Sequence, residues 1–502
     1  KRADKILRCP EHLTTAEKIA EKSIVLLKND GLLPIRKDLR SVAVIGPAAD
    51  TVSYGDYTET RGRKGGVSVL DGIRAAVSPE TEVLYERGCN FLGQALHPFG
   101  PSMLYDENGK AGLTGRYYNG PVPQGEPVQV RTDRTVNFNW IFALPHPALD
   151  ANCFSVVWTG SVVMPRTMDG CIGLSTQDSM RLYVDDKLLI DGWGKDKSAD
   201  QALDFHFEAG RTYKIRIEFV NDRRGARVIF GYSAGRENFP AAVEAARKAD
   251  VAILCMGDNE ETSGENFDRT DLNLPGRQLE LVQAVYATGT PVVLVLQSGR
   301  PVTANWENDH LPAILEAWFP GEQGGTAIAK TLFGDAAPGG RLPITFPRSV
   351  GQIPCHYSRR PGGGKRYVEM DWLPLYPFGY GLTYTTFAYR DMALSRSVID
   401  PQDTVTVSVT VTNTGKYTGD AVPQLYVRDM FSSVVKPERQ LAAFRRLTLA
   451  PGESRRVELT VGPKQLRTLG PDYVWRVEPG KFELQLGDNA ENILLRADLT
   501  VE

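Results

Sequence analysis

Cysteine and histidine are scarce in this 502-residue chain, with six residues of each type. The cysteines are scattered without a CxxC pair, and the histidines form no HxxxH or HExxH motif. Zinc sites and disulfide frameworks depend on closely spaced residues, so this spacing predicts reduced structural thiols, no metal site and no cofactor. The cysteines are Cys9, Cys89, Cys153, Cys171, Cys255 and Cys355.

A strong excess of either charge is also missing, because the formal net charge is only -3 at pH 7. Nucleic acids and anionic membranes select basic surfaces, so neither partner is expected. The longest apolar runs, such as "PVVLVLQ", have the length of a core strand and not the ~20 residues of a membrane span. The charged, helix-patterned start lacks a signal-peptide pattern, which leaves a soluble protein in the cytoplasm or outside the cell.

Hydrophobic periodicity divides the chain into segments of two styles. Helical patterns alternate with apolar strands such as "SVAVIGP" before residue 110 and again after residue 236, which predicts one α/β domain. Short alternating strands with Gly and Asp turns lie between these parts and again at the end of the chain, which predicts two all-β sandwiches. The expected order is an α/β sandwich in residues 1–110, a β-sandwich insert in 111–235, the second α/β part in 236–385, and an immunoglobulin-like sandwich in 386–502.

The stretch "GDNEETSGENFDR" places four carboxylates close together: Asp258, Glu260, Glu261 and Glu265. It follows the apolar strand "VAILCMG", and open α/β sheets bind ligands beyond the carboxyl ends of their strands. Glycosidases use a pair of carboxyl groups, so one of these acids is a candidate for such work. A solvated acidic loop near a helix start explains the same composition.

Several long motifs resemble glycoside hydrolase family 3. The runs "KSIVLLKND", "ENFDRTDLNLPGRQLELVQAV" and "AILEAWFPGEQGG" are similar to its α/β-sandwich domain, and "PLYPFGYGLTYTTFAY" and "VTVTNTG" to its fibronectin type III-like domain. The insert, with "GLTGRYYNG" and "DSMRLYVDDKLLIDGWG", resembles a protective-antigen-type (PA14) sandwich. The resemblance covers nearly the whole chain and implies a retaining enzyme that hydrolyses terminal β-glycosidic bonds.

The resemblance assigns roles to individual residues of the acidic stretch. Glu265 matches the family's acid/base, with Glu260 and Glu261 as alternatives, and Asp268 and Arg269 match a trailing pair that supports the loop. An ion pair between Asp268 and Arg269 is one way to fix that loop. Asn266 replaces the usual glycine, and asparagine tolerates unusual backbone angles better than most residues.

The family's nucleophile is an aspartate on an N-terminal (β/α)8 barrel, and no barrel pattern appears in this chain. Asp371–Trp372 is the one Asp-Trp pair, and it stands in the linker before the last domain, which is the wrong context. We therefore expect the barrel to lie in a covalent or a separate part of the protein. Arg63 and Lys64, in "RKGGVS", stand where family members have an active-site-facing glycine-rich segment, so they are candidate aglycone contacts.

The expected substrate is a β-glucoside or an oligosaccharide with a terminal β-D-glucosyl residue. β-Xylosidase or α-L-arabinofuranosidase activity, and a non-catalytic carbohydrate-binding protein, are the alternatives, and a homo-oligomer is compatible with each. Sandwiches similar to the insert often bind calcium through adjacent aspartates, so the resemblance makes Asp178 and the Asp185–Asp186 turn candidate calcium ligands, although no metal is the main expectation. Trp140, Phe142, Trp158 and Trp193 are expected as core or turn residues, or as walls of an aglycone pocket.

Overall fold

The computed structural model describes residues 6–55, 57–58, 65–91, 96–140, 144–176, 178–194, 201–221, 226–234, 239–259, 262–265, 267–362 and 366–502. The chain forms two compact units, one of Lys1–Leu92 with Phe239–Glu502 and one of Gly93–Asn238. Within these described ranges, no helix is both long enough and apolar enough to cross a membrane.

The first unit opens with α/β elements. Ser68 caps one of the two helices, because its hydroxyl accepts the backbone N–H of Asp71 at 3.1 Å. The strand "SVAVI" is buried along its whole length, as expected for a central strand of a parallel sheet. The elements are α1 (Pro10–Ser23), β1 (Val25–Asn29), β2 (Ser41–Ile45), α2 (Val69–Ala76) and β3 (Glu82–Glu86).

The second unit is built from antiparallel strands. They are β4 (His97–Pro98), β5 (Leu104–Tyr105), β6 (Leu113–Asn119), β7 (Gln129–Asp133), β8 (Asn137–Asn139), β9 (Phe154–Val163), β10 (Met168–Thr176), β11 (Ser179–Val184), β12 (Lys187–Asp191), β13 (Gln201–Phe207), β14 (Thr212–Asn221) and β15 (Arg227–Ala234). One sheet has the order β13-β10-β15-β4 with β8 on β15, and the other has β12-β11-β14-β9-β6-β7 with β5 on β9.

One hydrophobic core joins these two sheets. It combines Ile172 and Phe230 from one sheet with Trp158, Ile217 and Phe219 from the other. The sequence predicts that this unit starts at residue 111. In the structure it starts earlier, because the short strands β4 and β5 already pair with β15 and β9.

The first unit resumes with the elements that complete its large sheet. They are α3 (Phe239–Lys248), β16 (Val251–Gly257), α4 (Gln278–Tyr286), β17 (Val292–Gln297), α5 (Asn305–His310), β18 (Ala313–Glu316) and α6 (Gly324–Leu332). The strand order is β1-β18-β17-β16-β2-β3, parallel throughout except for β1. The predicted α/β alternation on both sides of the insert is confirmed.

Helices cover both faces of this sheet. Alternate residues of β16 point to opposite faces: Ala252 and Leu254 pack in one core, whereas Ile253 and Cys255 pack in the other. The first core includes residues of α3 and α4, and the second includes residues of α1, α2 and α6. A strand buried on both faces needs a continuous apolar run, which explains "VAILCMG" and "VVLVLQ".

A β-sandwich completes the first unit after the turn Val350–Gln352. The elements are β19 (Phe387–Leu394), β20 (Val398–Ile399), β21 (Val405–Asn413), β22 (Gly419–Ala421), β23 (Gln424–Asp429), β24 (Gln440–Phe444), β25 (Leu447–Leu449), β26 (Ser454–Val461), α7 (Pro463–Leu466), β27 (Thr468–Leu469), β28 (Trp475–Arg476), β29 (Gly480–Gly487) and β30 (Ile493–Val501). Two sheets of the sandwich have the orders β19-β21-β26 and β20-β30-β29-β23-β24, and they share one core.

Candidate active site

The acidic stretch leaves the sheet at the carboxyl end of β16, as predicted. Gly257, the last residue of β16, has a φ of 140°, and a Cβ there would lie 2.0 Å from the carbonyl oxygen of Gln297. Only glycine fits this close approach. Gln278, which is fully buried, fixes the turn because its amide binds both the N–H and the carbonyl of Gly257, at 2.7 and 2.9 Å.

Asp258 is the internal anchor of the loop. It is 1% exposed, and its Oδ1 accepts hydrogen bonds from Thr262 at 3.0 Å and from Arg269 at 3.2 Å. Arg300 lies 3.8 Å from its other oxygen and also donates to the carbonyl of Thr262 at 3.2 Å. Burial raises the pKa of Asp258, while the Thr262 hydrogen bond and the two guanidinium groups oppose that shift.

Glu265 lies on the exposed part of the same loop. Tyr57, which is 79% exposed and precedes α2 in the sequence, donates its hydroxyl hydrogen to Oε2 of Glu265. The loop turns just after Glu265, where the N–H of Phe267 bonds to the carbonyl of Gly264 at 3.3 Å. A carboxyl group that is exposed, and that rests on a loop anchored from below, can reach a ligand at the carboxyl edge of the sheet.

The trailing pair is arranged differently from the expected ion pair. Arg269 bonds to Asp258, to Asp271 at 3.4 Å, and to the carbonyl of Asn273 at 2.6 Å. Among the described residues, no ion pair joins Arg269 to Asp268, whose side chain is exposed. The buried Asp258 attracts the guanidinium more strongly than an exposed neighbour, because charges interact more strongly where water is excluded.

A second buried carboxyl group lies at the end of β18. Glu316 is completely buried and accepts hydrogen bonds from Ser298 at 3.1 Å and from the backbone N–H of Trp318 at 2.8 Å. Burial raises the pKa of Glu316 to about 8, and the nearby Asp258 carboxylate adds to this shift. Asp258 and Ser298 directly follow β16 and β17, and Glu316 ends the neighbouring β18, so the three side chains form a polar cluster beneath the loop.

Other predicted site residues fall outside the described part of the chain. Arg63 and Lys64, the candidate aglycone contacts, are in this group, as are Glu260, Glu261 and Asn266. Tyr57 and Glu316 were missed by the sequence reasoning. Glu316 has a visible signal, because it ends the otherwise apolar strand "AILE", whereas nothing in the local sequence distinguishes Tyr57.

In the second unit, the candidate aromatic residues that the structure describes pack against other side chains. Trp158 is fully buried and donates to Asp133 at 2.8 Å, and Trp140 stacks on Phe138 with ring centroids 4.7 Å apart. Phe142 is outside the described residues. Trp193 lies under the guanidinium of Arg181, at 4.7 Å from the ring centroid.

Of the candidate calcium ligands in this unit, Asp178 is buried, and the two turn residues Asp185 and Asp186 are paired with cations. Asp185 and Asp186 adopt positive φ values of 50° and 63° in the turn between β11 and β12. Their carboxylates bind Arg211 at 3.2 Å and Lys214 at 2.8 Å. In the described ranges, no three His, Cys, Asp or Glu residues gather as metal ligands.

Comparisons with known proteins agree with this architecture, a three-layer α/β domain followed by a β-sandwich. Residues 24–384 match the glycosyl hydrolase family 3 C-terminal domain, and residues 421–490 match a fibronectin type III-like domain. The chain therefore belongs to glycosyl hydrolase family 3.

Two curated relatives and one solved structure illustrate the similarity. A beta-glucosidase from Rhizobium radiobacter is 34% identical over 99% of this chain, and a beta-xylosidase from Formosa agariphila is 45% identical over 58%. The crystal structure of a beta-glucosidase from Kluyveromyces marxianus covers 99% of this chain with a TM-score of 0.71 and 28% identity. The chain spans 63%, 42% and 63% of the lengths of these three proteins.

Proposed function

We propose that this chain supplies the acid/base residue, Glu265, of a retaining, exo-acting β-glucosidase. The main support is the position of Glu265: it is exposed on a loop at the carboxyl edge of the sheet, and Tyr57 binds its carboxylate. Below it, the buried Asp258 holds the loop through Thr262 and Arg269. This arrangement suits a group that must present one carboxyl in a fixed place.

Glu265 acts in both halves of the proposed reaction. Protonated, it donates its proton to the leaving glycosidic oxygen while an aspartate on the barrel attacks the anomeric carbon and forms a covalent glycosyl intermediate. Ionised, it then takes a proton from a water molecule that releases the sugar. The two carboxyl groups of a retaining enzyme stand about 5–5.5 Å apart, so the barrel must place its aspartate at that distance from Glu265.

The proposal also covers the location of the barrel and the sugar specificity of the enzyme. The barrel is a covalent or a separate partner of this chain, and Arg63 and Lys64 remain predicted aglycone contacts. The aligned beta-glucosidases extend over nearly the whole chain, including the insert, which favours a terminal β-D-glucosyl residue as the substrate. The second candidate is β-xylosidase activity, which the 45% identity to the Formosa agariphila protein supports over a shorter region.

The insert is assigned to the protective-antigen type of sandwich. Its two antiparallel sheets with one shared core support this assignment. In the proposed enzyme it forms part of the aglycone-side wall. The protein then has four segments in the order predicted from the sequence, with the insert beginning at Gly93 and not at residue 111.

The test compares aryl β-glucosides and aryl β-xylosides in the assembled protein, with wild type and Glu265→Gln side by side. We expect glucosides to be preferred. For substrates with poor leaving groups, Glu265→Gln should lower kcat/KM by about 10²–10⁴-fold, the usual contribution of general acid catalysis. Glu265→Gln activity equal to wild type on those substrates contradicts the assignment, and a preference for xylosides selects the second candidate. Glu280→Gln is the matched control and should keep the wild-type kcat/KM, because Glu280 is an exposed glutamate on α4, outside this loop.

A further inference from the structure

A cavity lies in the segment that joins the α/β domain to the fibronectin type III-like domain, within the first unit. Its volume is about 450 Å³, inside the ~300–1,000 Å³ range of small-molecule pockets. Aromatic and charged side chains line it together, among them Trp372, Tyr367, Tyr357, Arg359, Arg360 and Glu491. These residues take no part in the loop that carries Glu265.

The backbone beneath Trp372 is held from inside the protein. Gln352 is buried, and its amide nitrogen donates to the carbonyls of Asp371, Trp372 and Leu373 at 3.5, 3.1 and 3.4 Å. Arg348 donates to the Leu373 carbonyl at 3.1 Å and, through its backbone N–H, to the Gln352 side chain at 2.6 Å. Trp372 therefore stands on a fixed turn and not on a free loop.

The Trp372 ring is fixed as well, although it is 40% exposed. The guanidinium of Arg359 lies 4.4 Å from the ring centroid, and ion pairs with Glu491 at 3.0 Å and Glu438 at 3.3 Å hold that guanidinium in place. A large aromatic surface left open to solvent, yet held rigid by buried and paired groups, is pre-organised for a ligand.

The surrounding groups indicate the chemistry of that ligand. Tyr367 is tied to the carbonyl of Gly351 at 3.0 Å, and Tyr357 stacks on Phe378 at 4.1 Å, so the other aromatic walls are rigid too. The carboxylate of Glu491 accepts hydrogen bonds, and Arg360 donates them. A sugar ring carries an apolar C–H face and a rim of hydroxyls, and it matches an aromatic plate edged by charged hydrogen-bonding groups.

We propose that this cavity is a binding site for a neutral pyranose unit of an oligosaccharide, separate from the Glu265 loop. The sugar ring stacks on the face of Trp372 that Arg359 leaves uncovered, and its hydroxyls bond to Glu491 and Arg360. The pairing of Arg359 with two glutamates neutralises its charge, which favours an uncharged sugar over an acidic one.

Fluorine NMR of the protein labelled with 5-fluorotryptophan tests the site directly. The chain has seven tryptophans, and Trp372→Phe and Trp475→Phe assign the two resonances needed. Trp475 is a matched internal control, because it is 54% exposed and lies 4.4 Å below the guanidinium of Arg467, outside the cavity. The probe is a cellobiose analogue with sulfur in place of the interglycosidic oxygen, which resists hydrolysis, and sorbitol is the open-chain control.

We expect the analogue to shift the Trp372 resonance saturably, with the Trp475 resonance unchanged and sorbitol without effect. Tyr367→Ala should raise the midpoint of the titration by about tenfold, through the loss of one aromatic wall. The control Tyr473→Ala, at an exposed tyrosine of the last domain, should leave it unchanged. A Trp372 resonance that does not move, that moves together with Trp475, or that responds equally to sorbitol overturns the proposal. Because the readout needs no turnover, it does not depend on the role of Glu265.

Discussion

Replacement of the buried Glu316 by Gln is expected to remove a large part of the pH dependence of stability in the α/β domain. In the folded protein, burial raises the pKa of Glu316 from 4.5 to about 8. Between these two values the folded state holds a proton that the unfolded state has released, so the free energy of unfolding falls as the pH rises. The contribution of this proton to the free energy of unfolding is fully present below about pH 4.5 and is lost once the pH passes about 8.

The size of this effect follows from the interval between the two pKa values. At about 1.36 kcal/mol per pKa unit, the rise from 4.5 to about 8 corresponds to a loss of up to roughly 5 kcal/mol across the window. A change of that size lowers the unfolding midpoint by roughly 10 °C or more in a domain of this length. The amide of glutamine does not titrate, and its oxygen can keep the hydrogen bond from the backbone N–H of Trp318. Its NH2 group replaces the oxygen that faces Ser298, whose hydroxyl can donate to the Arg300 carbonyl at 2.8 Å and accept from that NH2 group.

Calorimetric unfolding between pH 5 and pH 9 provides the measurement. Wild type should show a midpoint that falls with rising pH, and Glu316→Gln should flatten most of that fall. Glu280→Gln, an exposed carboxylate on α4, should behave as wild type. If Glu316→Gln keeps the wild-type slope, then Glu316 is not the group whose proton is coupled to folding.

Two further predictions concern the loop that carries Glu265. Asp258→Asn should destabilise the protein by roughly 1.5–3 kcal/mol, because it replaces the charged acceptor of the hydrogen bonds from Thr262 and the partly buried Arg269. Asp268→Asn, in solvent, should change stability by about 0.5 kcal/mol or less. Urea unfolding of both variants distinguishes the two positions, and equal losses contradict this account of the anchor. Tyr57→Phe removes one hydrogen bond to Glu265. It should therefore lower kcat/KM on aryl β-glucosides by about 2–10-fold, with little change in stability. An unchanged kcat/KM would show that Tyr57 does not position the carboxyl group of Glu265.

The layout of the α/β domain could be predicted from the sequence because its central strands are buried on both faces. Such strands must be apolar at every position, so "SVAVI" and "VAILCMG" stand out against amphipathic helices. The start of the insert was harder to place. Two-residue strands such as His97–Pro98 carry no periodicity, and only their pairing with distant strands reveals them.

The candidate site, too, could be predicted only in part from the sequence. The position of Glu265 after a buried strand follows from local order, and its role rests on the family resemblance. The partners of Arg269 could not be predicted, because Asp258 is eleven residues away and becomes the stronger attraction only when the fold buries it. Tyr57 is separated from Glu265 by 208 residues, and no local pattern indicates that contact.

The role of Glu265 is tested most directly by nucleophile rescue in the assembled protein. In Glu265→Ala, a 2,4-dinitrophenyl β-glucoside should still form the glycosyl intermediate, because this leaving group departs without a proton. Hydrolysis of the intermediate then lacks its general base, and added azide, which needs none, should accelerate turnover and give a β-glucosyl azide. Rates that do not respond to azide, together with wild-type turnover of substrates with poor leaving groups, contradict the assignment of Glu265 as the acid/base.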